Sequence, residues 1–284
     1  MPVHARFPDG RLHLQHGPID CVIEAWGEPA EVEAAYAQAW SHFQGLLEAL
    51  VEELQVLRSP VVAAYPRVRG PVAKRMVAAV WPHRTVFITP MAAVAGAVAE
   101  ELLEAMVLGR RLRKACVNNG GDIALHLERY AEFDVGIATR PDVPAVDGGL
   151  TILATEPVRG IATSGWRGRS QSLGIADAVT VLASTAAVAD AAATLIANAV
   201  NVEHASIRRL PARAVKEDSD LGDLAVTVGV GPLPDEAVEA ALDAGLGVAR
   251  GLRGRGCIDD ALLVLDGGFR AVRERPPFVI GASC

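Results

Sequence analysis

Aromatic side chains are scarce in this chain: four Trp, three Tyr and six Phe make up 5% of its 284 residues. A core with so few rings must be filled by small side chains. Alanine and valine supply most of the 51% hydrophobic content, which suits helices lying close on sheets. Cysteine is scarce as well. Cys21, Cys116, Cys257 and Cys284 contain no C-x-x-C pair, so neither a zinc site nor a disulfide framework is indicated, and they read as reduced thiols of a cytoplasmic protein. Positive charge is not in excess: a formal net charge of -7 argues against a general nucleic-acid binder. The longest uncharged run, Thr85 to Ala99, is too short for a membrane helix, and MPVHARFPDG at the start lacks the apolar stretch of a signal peptide. Neither G-x-G-x-x-G nor a Walker motif occurs, and there is no internal repeat.

Apolar periodicity supplies the elements that are there. Residues 11 to 26 read as two strands around Gly17-Pro18, with His13 and His16 at the surface near the turn. From Glu31 to Leu57 apolar residues recur at three- and four-residue steps, which predicts one long amphipathic helix. A loop rich in Pro and Gly, a helix over 72–80 and an alanine-rich helix over 91–108 follow. Gly96 inside that helix costs about 1 kcal/mol relative to alanine, so it marks close packing or close approach of a ligand. Strands are expected around 115–125, 133–139, 150–155, 160–162 and 178–183, with Pro141 to Gly149 as a loop, and Ala186 to Val200 is a helix. Residues 201–222 are polar and unperiodic, reading as a mobile lid or a surface connector. A strand over 224–230, a helix from 235 to 250 and two strands turned at Asp266-Gly267-Gly268 close the chain, with Asp259 and Asp260 in structural roles.

Three polar constellations interrupt this small-residue background. Asn118-Asn119-Gly120-Gly121-Asp122 reads as a turn, either a plain hairpin or one whose glycines let a ligand reach the main chain. Thr163-Ser164-Gly165 closes a strand with two hydroxyls and a backbone amide. Asp190, Thr194 and Asn198, four residues apart, place a carboxylate, a hydroxyl and an amide on one helix face. Such oxygens suit a hard cation such as Mg²⁺; a solvated face or a buried polar stripe paired to a loop is the structural alternative.

In this order, with Ala189-Asp190-Ala191-Ala192-Ala193-Thr194 as the third element, the constellations resemble the ApbE-type FAD:protein FMN transferases. The chain is most similar to the uncharacterised ApbE-like branch of that superfamily, over residues 85 to 202. The resemblance implies that Asn118, Asn119, Gly120, Gly121 and Asp122, with Thr163, Ser164 and Gly165, line FAD or a related flavin nucleotide. It implies that Asp190 and Thr194 offer oxygens to Mg²⁺, with a main-chain carbonyl at Ala95, where the family's A-K-G segment lacks its lysine. The family's H-x-x-D-P element falls on Gly174-Ile175-Ala176-Asp177-Ala178: aspartate is kept and histidine is replaced by glycine. Asp177 and Asp122 are then the groups that would position water or an acceptor hydroxyl. Two activities follow from the resemblance, Mg-dependent pyrophosphate cleavage or FMN transfer to a protein acceptor; a non-catalytic cofactor-binding or assembly module is the alternative. The expected fold is α+β, a mainly antiparallel sheet packed with long helices, in a single domain over 1–284 built from two intertwined halves. A doubly wound parallel sheet is the rival, disfavoured by the missing phosphate loop. The alanine-rich helices offer a face for a homodimer, and no membrane or nucleic-acid partner is expected.

Overall fold

The structure, a computed structural model, describes residues 1–138 and 148–273, and the backbone of 279–280. The end of the strand expected at 133–139, most of the Pro141 to Gly149 loop and Cys284 lie outside the described residues.

The chain starts with β1 (Val3–Arg6), β2 (Leu12–His16) and β3 (Ile19–Gly27), followed by α1 (Pro29–Phe43), α2 (Leu46–Glu52) and α3 (Leu54–Leu57). After α4 (Pro71–Val80) and α5 (Val94–Val107) come β4 (Leu112–Asn119), β5 (Asp122–Leu127), β6 (Glu132–Ile137), β7 (Gly148–Leu153), β8 (Gly160–Ser164) and β9 (Ala178–Ala183). Then α6 (Ala186–Ala199), β10 (Ile207–Pro211), α7 (Ala212–Val215), β11 (Ala225–Val230), α8 (Asp235–Gly254), β12 (Asp260–Leu265) and β13 (Gly268–Ala271) complete the fold. The strand pairings with a defined register are all antiparallel. The α+β architecture with a mainly antiparallel sheet is therefore observed, and the parallel alternative falls away.

Two compact units share the chain. The first comprises residues 1–133, 153–161 and 183–191. Its strands run in the order β1-β2-β3-β4-β5-β8, and α5 packs on β4 and β5 with α1 against α5. Alternation builds the inner face: Leu14, Cys21 and Ile23 are fully buried on β2 and β3, as are Ala115 and Val117 on β4. The buried side of α1 is Ala35, Tyr36, Ala39 and Phe43, spaced at one helical turn. In the second unit, residues 134–152, 162–182 and 192–284, β9-β12-β13 pair in that order and α8 packs on β12 and β13. Both β9 and β12 are buried along their whole length, which is why their sequences are apolar apart from Thr180 and Asp260.

Three expectations are corrected. The single helix over 31–57 is broken into three, because Gly45 and Glu53 at the breaks leave helical geometry, each with ψ near zero. Residues 201–222 are not a lid: Ile207–Pro211 pairs with β11, with a bulge between Arg208 and Arg209, and α7 follows directly. Two adjacent arginines in a half-exposed strand hid the alternation that would have signalled it. His16 is buried beside Phe43 rather than at the surface; His13 is half-buried and bonded to Asp20 at 2.8 Å.

Asp260 is fully buried and takes the amides of Ala261 and Arg273 at 2.9 and 3.3 Å, a structural use of this carboxylate as expected. Cys116 sits on β4, and although part of the residue reaches solvent, burial first and the Glu24 carboxylate next push its thiol up to about 12. Alkylation needs the thiolate, so at pH 8 Cys116 should react with iodoacetamide more than about a hundredfold slower than free cysteine. Peptide mapping of the native protein against a urea-unfolded control measures this; equal labelling of Cys116 in both would contradict it.

Candidate functional site

In the first unit, the amino-terminal turn of α5 gathers four of the residues singled out from sequence, Ala95, Gly96, Asn119 and Asp190. Gly96 donates its N–H to Asp190 Oδ2 at 3.0 Å. Asn119 donates from Nδ2 to the carbonyl oxygen of Ala95 at 3.1 Å, and its Oδ1 accepts the N–H of Asp20 at 3.4 Å. The Asn119 side chain is 4% exposed, so it works as a fixed strut between β4 and α5 rather than as a surface group. The Asp190 carboxyl is raised to about 7, by burial above all, with the amides of Gly96 and Ala95 acting in the opposite direction. The folded protein then holds a proton that the unfolded chain gives up. This group's contribution to stability is full below the ordinary carboxylate range and is lost as pH rises toward 7.

The carboxylate reaches this position because two main chains nearly touch. A Cβ at Gly96 would lie 2.3 Å from the carbonyl oxygen of Ala186, and one at Gly160 would lie 2.1 Å from the carbonyl carbon of Thr185. Close packing, not ligand approach, therefore accounts for Gly96. Glu100 accepts the N–H of Ala187 at 2.6 Å, and Thr185 Oγ1 accepts that of Val188 at 3.3 Å, so the first turn of α6 is capped from two directions. Nothing in the sequence reading pointed to Glu100, since its partner lies 87 residues away.

Asn118 and the two glycines form a tight hairpin between β4 and β5. Gly120 and Gly121 both have positive φ, 68° and 110°, and Gly121 donates to Asn118 Oδ1 at 2.8 Å. The plain-hairpin reading is correct as geometry. A Cβ at Gly121 would meet nothing within 4 Å, so that position faces open space. Asp122 stands opposite Asn119 in the ladder.

The second unit holds the other candidates. Thr163 Oγ1 lies 3.0 Å from Thr180 Oγ1, and Ser164 is half-buried at the end of β8. Gly165 is required by packing: a Cβ there would lie 2.4 Å from the carbonyl oxygen of Asp177. The Asp177 side chain is buried and accepts three donors: Arg167 Nε at 2.6 Å and Trp166 Nε1 at 3.3 Å on Oδ1, and the N–H of Asp266 at 2.7 Å on Oδ2. It is an anchor for the turn after Gly165. Trp166 and Arg167 were overlooked in the sequence, although they directly follow T-S-G and stack on each other at 4.5 Å.

Asn198 leaves the polar stripe for a structural task. Its Oδ1 accepts the N–H of Leu173 at 2.9 Å and pairs with Ser172 Oγ at 3.2 Å, while Ile175 donates to the carbonyl of Val200 at 2.8 Å. Residues 172–175 are thereby laid on the end of α6. A Cβ at Gly174 would fall 2.0 Å from the carbonyl oxygen of Ala197 and under 3 Å from those of Asn198 and Val200. The position that matches the family's histidine cannot hold any side chain in this backbone.

In the first unit the oxygens that could serve a cation are those of the Asp190 carboxylate and the Ala95 carbonyl, which also accepts from Asn119; Thr194 stands one turn further along α6, in the second unit. No cluster of three His, Cys, Asp or Glu suited to a metal occurs among the described residues. A single carboxylate does not make a protein-only cage, but it fits Mg²⁺, which is commonly held by one or two carboxylates with the rest of its shell from phosphates and water.

The family model described as AbpE bacteria matches residues 4–271. The chain belongs to this family. Its resemblance to the ApbE-like superfamily, seen first in the order of three motifs, is thus borne out. Among relatives of this AbpE-family chain, the UPF0280 protein of Methanosarcina acetivorans is 35% identical over 188 residues, covering 64% of this chain and 69% of the relative. That of Methanothermobacter thermautotrophicus is 39% identical over 133 residues, 46% of this chain and 50% of the relative. With the Archaeoglobus fulgidus protein the identity is 43% over 117 residues, 40% and 45% of the two chains. The chain thus spans about half the length of most of these relatives. Of solved structures, an apo flavinyl transferase ApbE from Pseudomonas stutzeri is 10% identical with a TM-score of 0.44, covering 95% of this chain and 93% of that one. A mutant flavin transferase ApbE from Vibrio cholerae is 13% identical with the same score, covering 95% and 96%. At these scores the likeness carries no argument about this chain.

Substituting Gly174 should expose how tightly it is held. Gly174→Ala is expected to lower stability by about 1–3 kcal/mol, as overpacking does, and Gly174→His should lose more or fail to fold. Urea unfolding of the alanine variant checks this; an unchanged midpoint would refute the close contact.

Proposed function

We propose that this AbpE-family chain binds a flavin or related adenine nucleotide, with Mg²⁺ shared between the nucleotide's phosphates and oxygens of Asp190, Thr194 and Ala95. The observation that carries the reading is the half-buried Asp190 carboxylate, held on Oδ2 by Gly96 and set beside a carbonyl that Asn119 holds in place. A desolvated carboxylate answered only by amides is under-neutralised, and a cation supplied with a phosphate ligand completes it. Bound there, Mg²⁺ would neutralise phosphate charge and orient an oxygen at phosphorus. The chain's own residues would hold the ligand. The open Gly120-Gly121 turn offers backbone to a nucleotide, Ser164 offers a hydroxyl, and the Asp177-anchored turn fixes the backbone that presents it. Asp122, at the glycine turn, and Asp177, held by three donors, are the carboxylates we assign to positioning water or an acceptor hydroxyl.

A second reading, a cofactor-binding or assembly module without group transfer, rests on Gly174. The residue matched to the family's histidine is packed against helix carbonyls, and no side chain can act from it. FMN transfer by a histidine at that position is therefore excluded from the proposal; pyrophosphate cleavage, which needs a positioned water, is not.

Purified protein incubated with FAD, with and without Mg²⁺, tests both readings. FAD is expected to bind tenfold or more tightly with Mg²⁺ present, and Asp190→Asn, which keeps an acceptor for Gly96, should remove that gain while holding the thermal midpoint. Release of FMN or AMP that depends on Asp190 would establish cleavage, and binding without release would establish the module. FAD affinity indifferent to both Mg²⁺ and Asp190→Asn would sink the cation assignment.

A further inference from the structure

Residues 54 to 99 contain no Asp or Glu, yet they carry Arg58, Arg67, Arg69, Lys74, Arg75 and Arg84 in a chain whose formal net charge is -7. Arg75 is neutralised by Glu100, Glu101 and Glu104 of α5. Arg67, Arg69 and Arg84 are exposed, and no ion pair to a carboxylate is found for them among the described residues. Glu53 is the acidic neighbour, and its two oxygens are taken by the backbone N–H groups of Arg69 and Gly70 at 2.6 and 2.8 Å.

The same surface is apolar and aromatic. Val61 donates to the carbonyl of Ile88 at 2.9 Å, which brings the segment after α3 beside the one before α5. From these two segments Val62 (64%), Tyr65 (51%), Val86 (53%) and Phe87 (41%) are exposed. The Tyr65 ring meets Trp81 edge-on at 5.0 Å, and the Arg84 guanidinium lies 4.4 Å over the Trp81 ring. Exposed apolar side chains gathered in this way mark an interaction site more often than chance exposure does. Tyr, Trp, Phe and Arg are the residues over-represented at protein interfaces, where lysine is depleted. A guanidinium also pairs with carboxylates in a planar, two-pronged way that lipid attraction does not need.

We infer that the Val61–Arg69 and Trp81–Ile88 segments form a docking surface for an acidic segment of a partner protein that carries aromatic or apolar anchors. Carboxylates of the partner meet Arg67, Arg69 and Arg84, and its rings lie on Tyr65, Trp81 and Phe87. None of these residues is among those proposed for the nucleotide or the cation.

A fluorescein-labelled random Glu-Tyr copolymer serves as the probe, followed by anisotropy with the full-length protein in low salt. Binding is expected to weaken at least tenfold in Arg67→Glu/Arg84→Glu and in Tyr65→Ser/Phe87→Ser, and to weaken as salt rises. Both variants should keep the wild-type thermal midpoint; Arg67→Gln/Arg84→Gln is the milder substitute if charge reversal impairs folding. No binding of the copolymer, equal binding of poly-Glu lacking tyrosine, or affinity unmoved by the variants would overturn the inference. So would stronger variant-sensitive binding to phosphatidylserine vesicles or to a single-stranded oligonucleotide, which would assign the surface to lipid or nucleic acid.

Discussion

Contact between main chains around α6 is the constraint on which the rest depends. Backbones approach within van der Waals distance only where no Cβ intervenes, and the chain meets that condition at Gly96 and Gly160 for the first turn of α6, and at Gly174 for its last. Alanines fill the remainder of the helix surface: Ala187, Ala189, Ala191, Ala192, Ala193 and Ala197 are all buried at 2% exposure or less. The scarcity of rings thus has a geometric reason. A helix seated this closely leaves no room for large side chains beneath it, so contact area must come from many small ones.

Seating α6 so deeply also decides the chemistry of Asp190. A carboxylate brought into such a place loses water on most sides, and the amides of the α5 terminus are what it receives instead. Partial positive charge at a helix start compensates a fraction of a full negative charge. This is enough to keep the group in place and too little to restore an ordinary titration. One arrangement therefore has two consequences. Asp190 caps α5, which any stable fold can use, and its charge is answered only in part by the amides of Gly96 and Ala95.

What was legible in the sequence follows from the range of each interaction. Strands and helices with strong local periodicity were found at nearly their observed places, because burial of one face writes a period of two or near four directly into the chain. The break at Gly45 was missed because Phe43, Leu47 and Leu50 keep the helical spacing across it, so the pattern continues where the backbone does not. β10 was missed because its stabilisation comes from pairing with β11, 14 or more residues later, and Arg208-Arg209 obscure its alternation. Asn118 to Asp122, Asp190 and Thr194 were found as chemistry-bearing residues, but their partners were not. Asn119 binding the Ala95 carbonyl, Glu100 capping Ala187 and Asp177 holding the Asp266 amide all join residues 24 to 89 positions apart, and composition or spacing does not record such pairs.

Gly174 shows how a family likeness and an activity can part. If a glycine had merely replaced a side chain in an open cavity, a water or a neighbouring group could take over its task. Here the main chain itself has taken the space: Asn198 grips Leu173 and Ser172, Val200 accepts from Ile175, and three helix carbonyls surround the glycine Cα. Restoring a side chain would require moving residues 172–175 away from α6 and giving up those bonds, each worth about 1 kcal/mol net. The glycine at 174 and the docking of this segment are consequently one structural fact. The opposite holds at Asp190, where a residue without a side-chain acceptor would leave the Gly96 amide without its partner. The pressures of folding alone thus keep a hydrogen-bond acceptor at one place and exclude a side chain at the other, and function resides in particular groups rather than in the architecture that carries them.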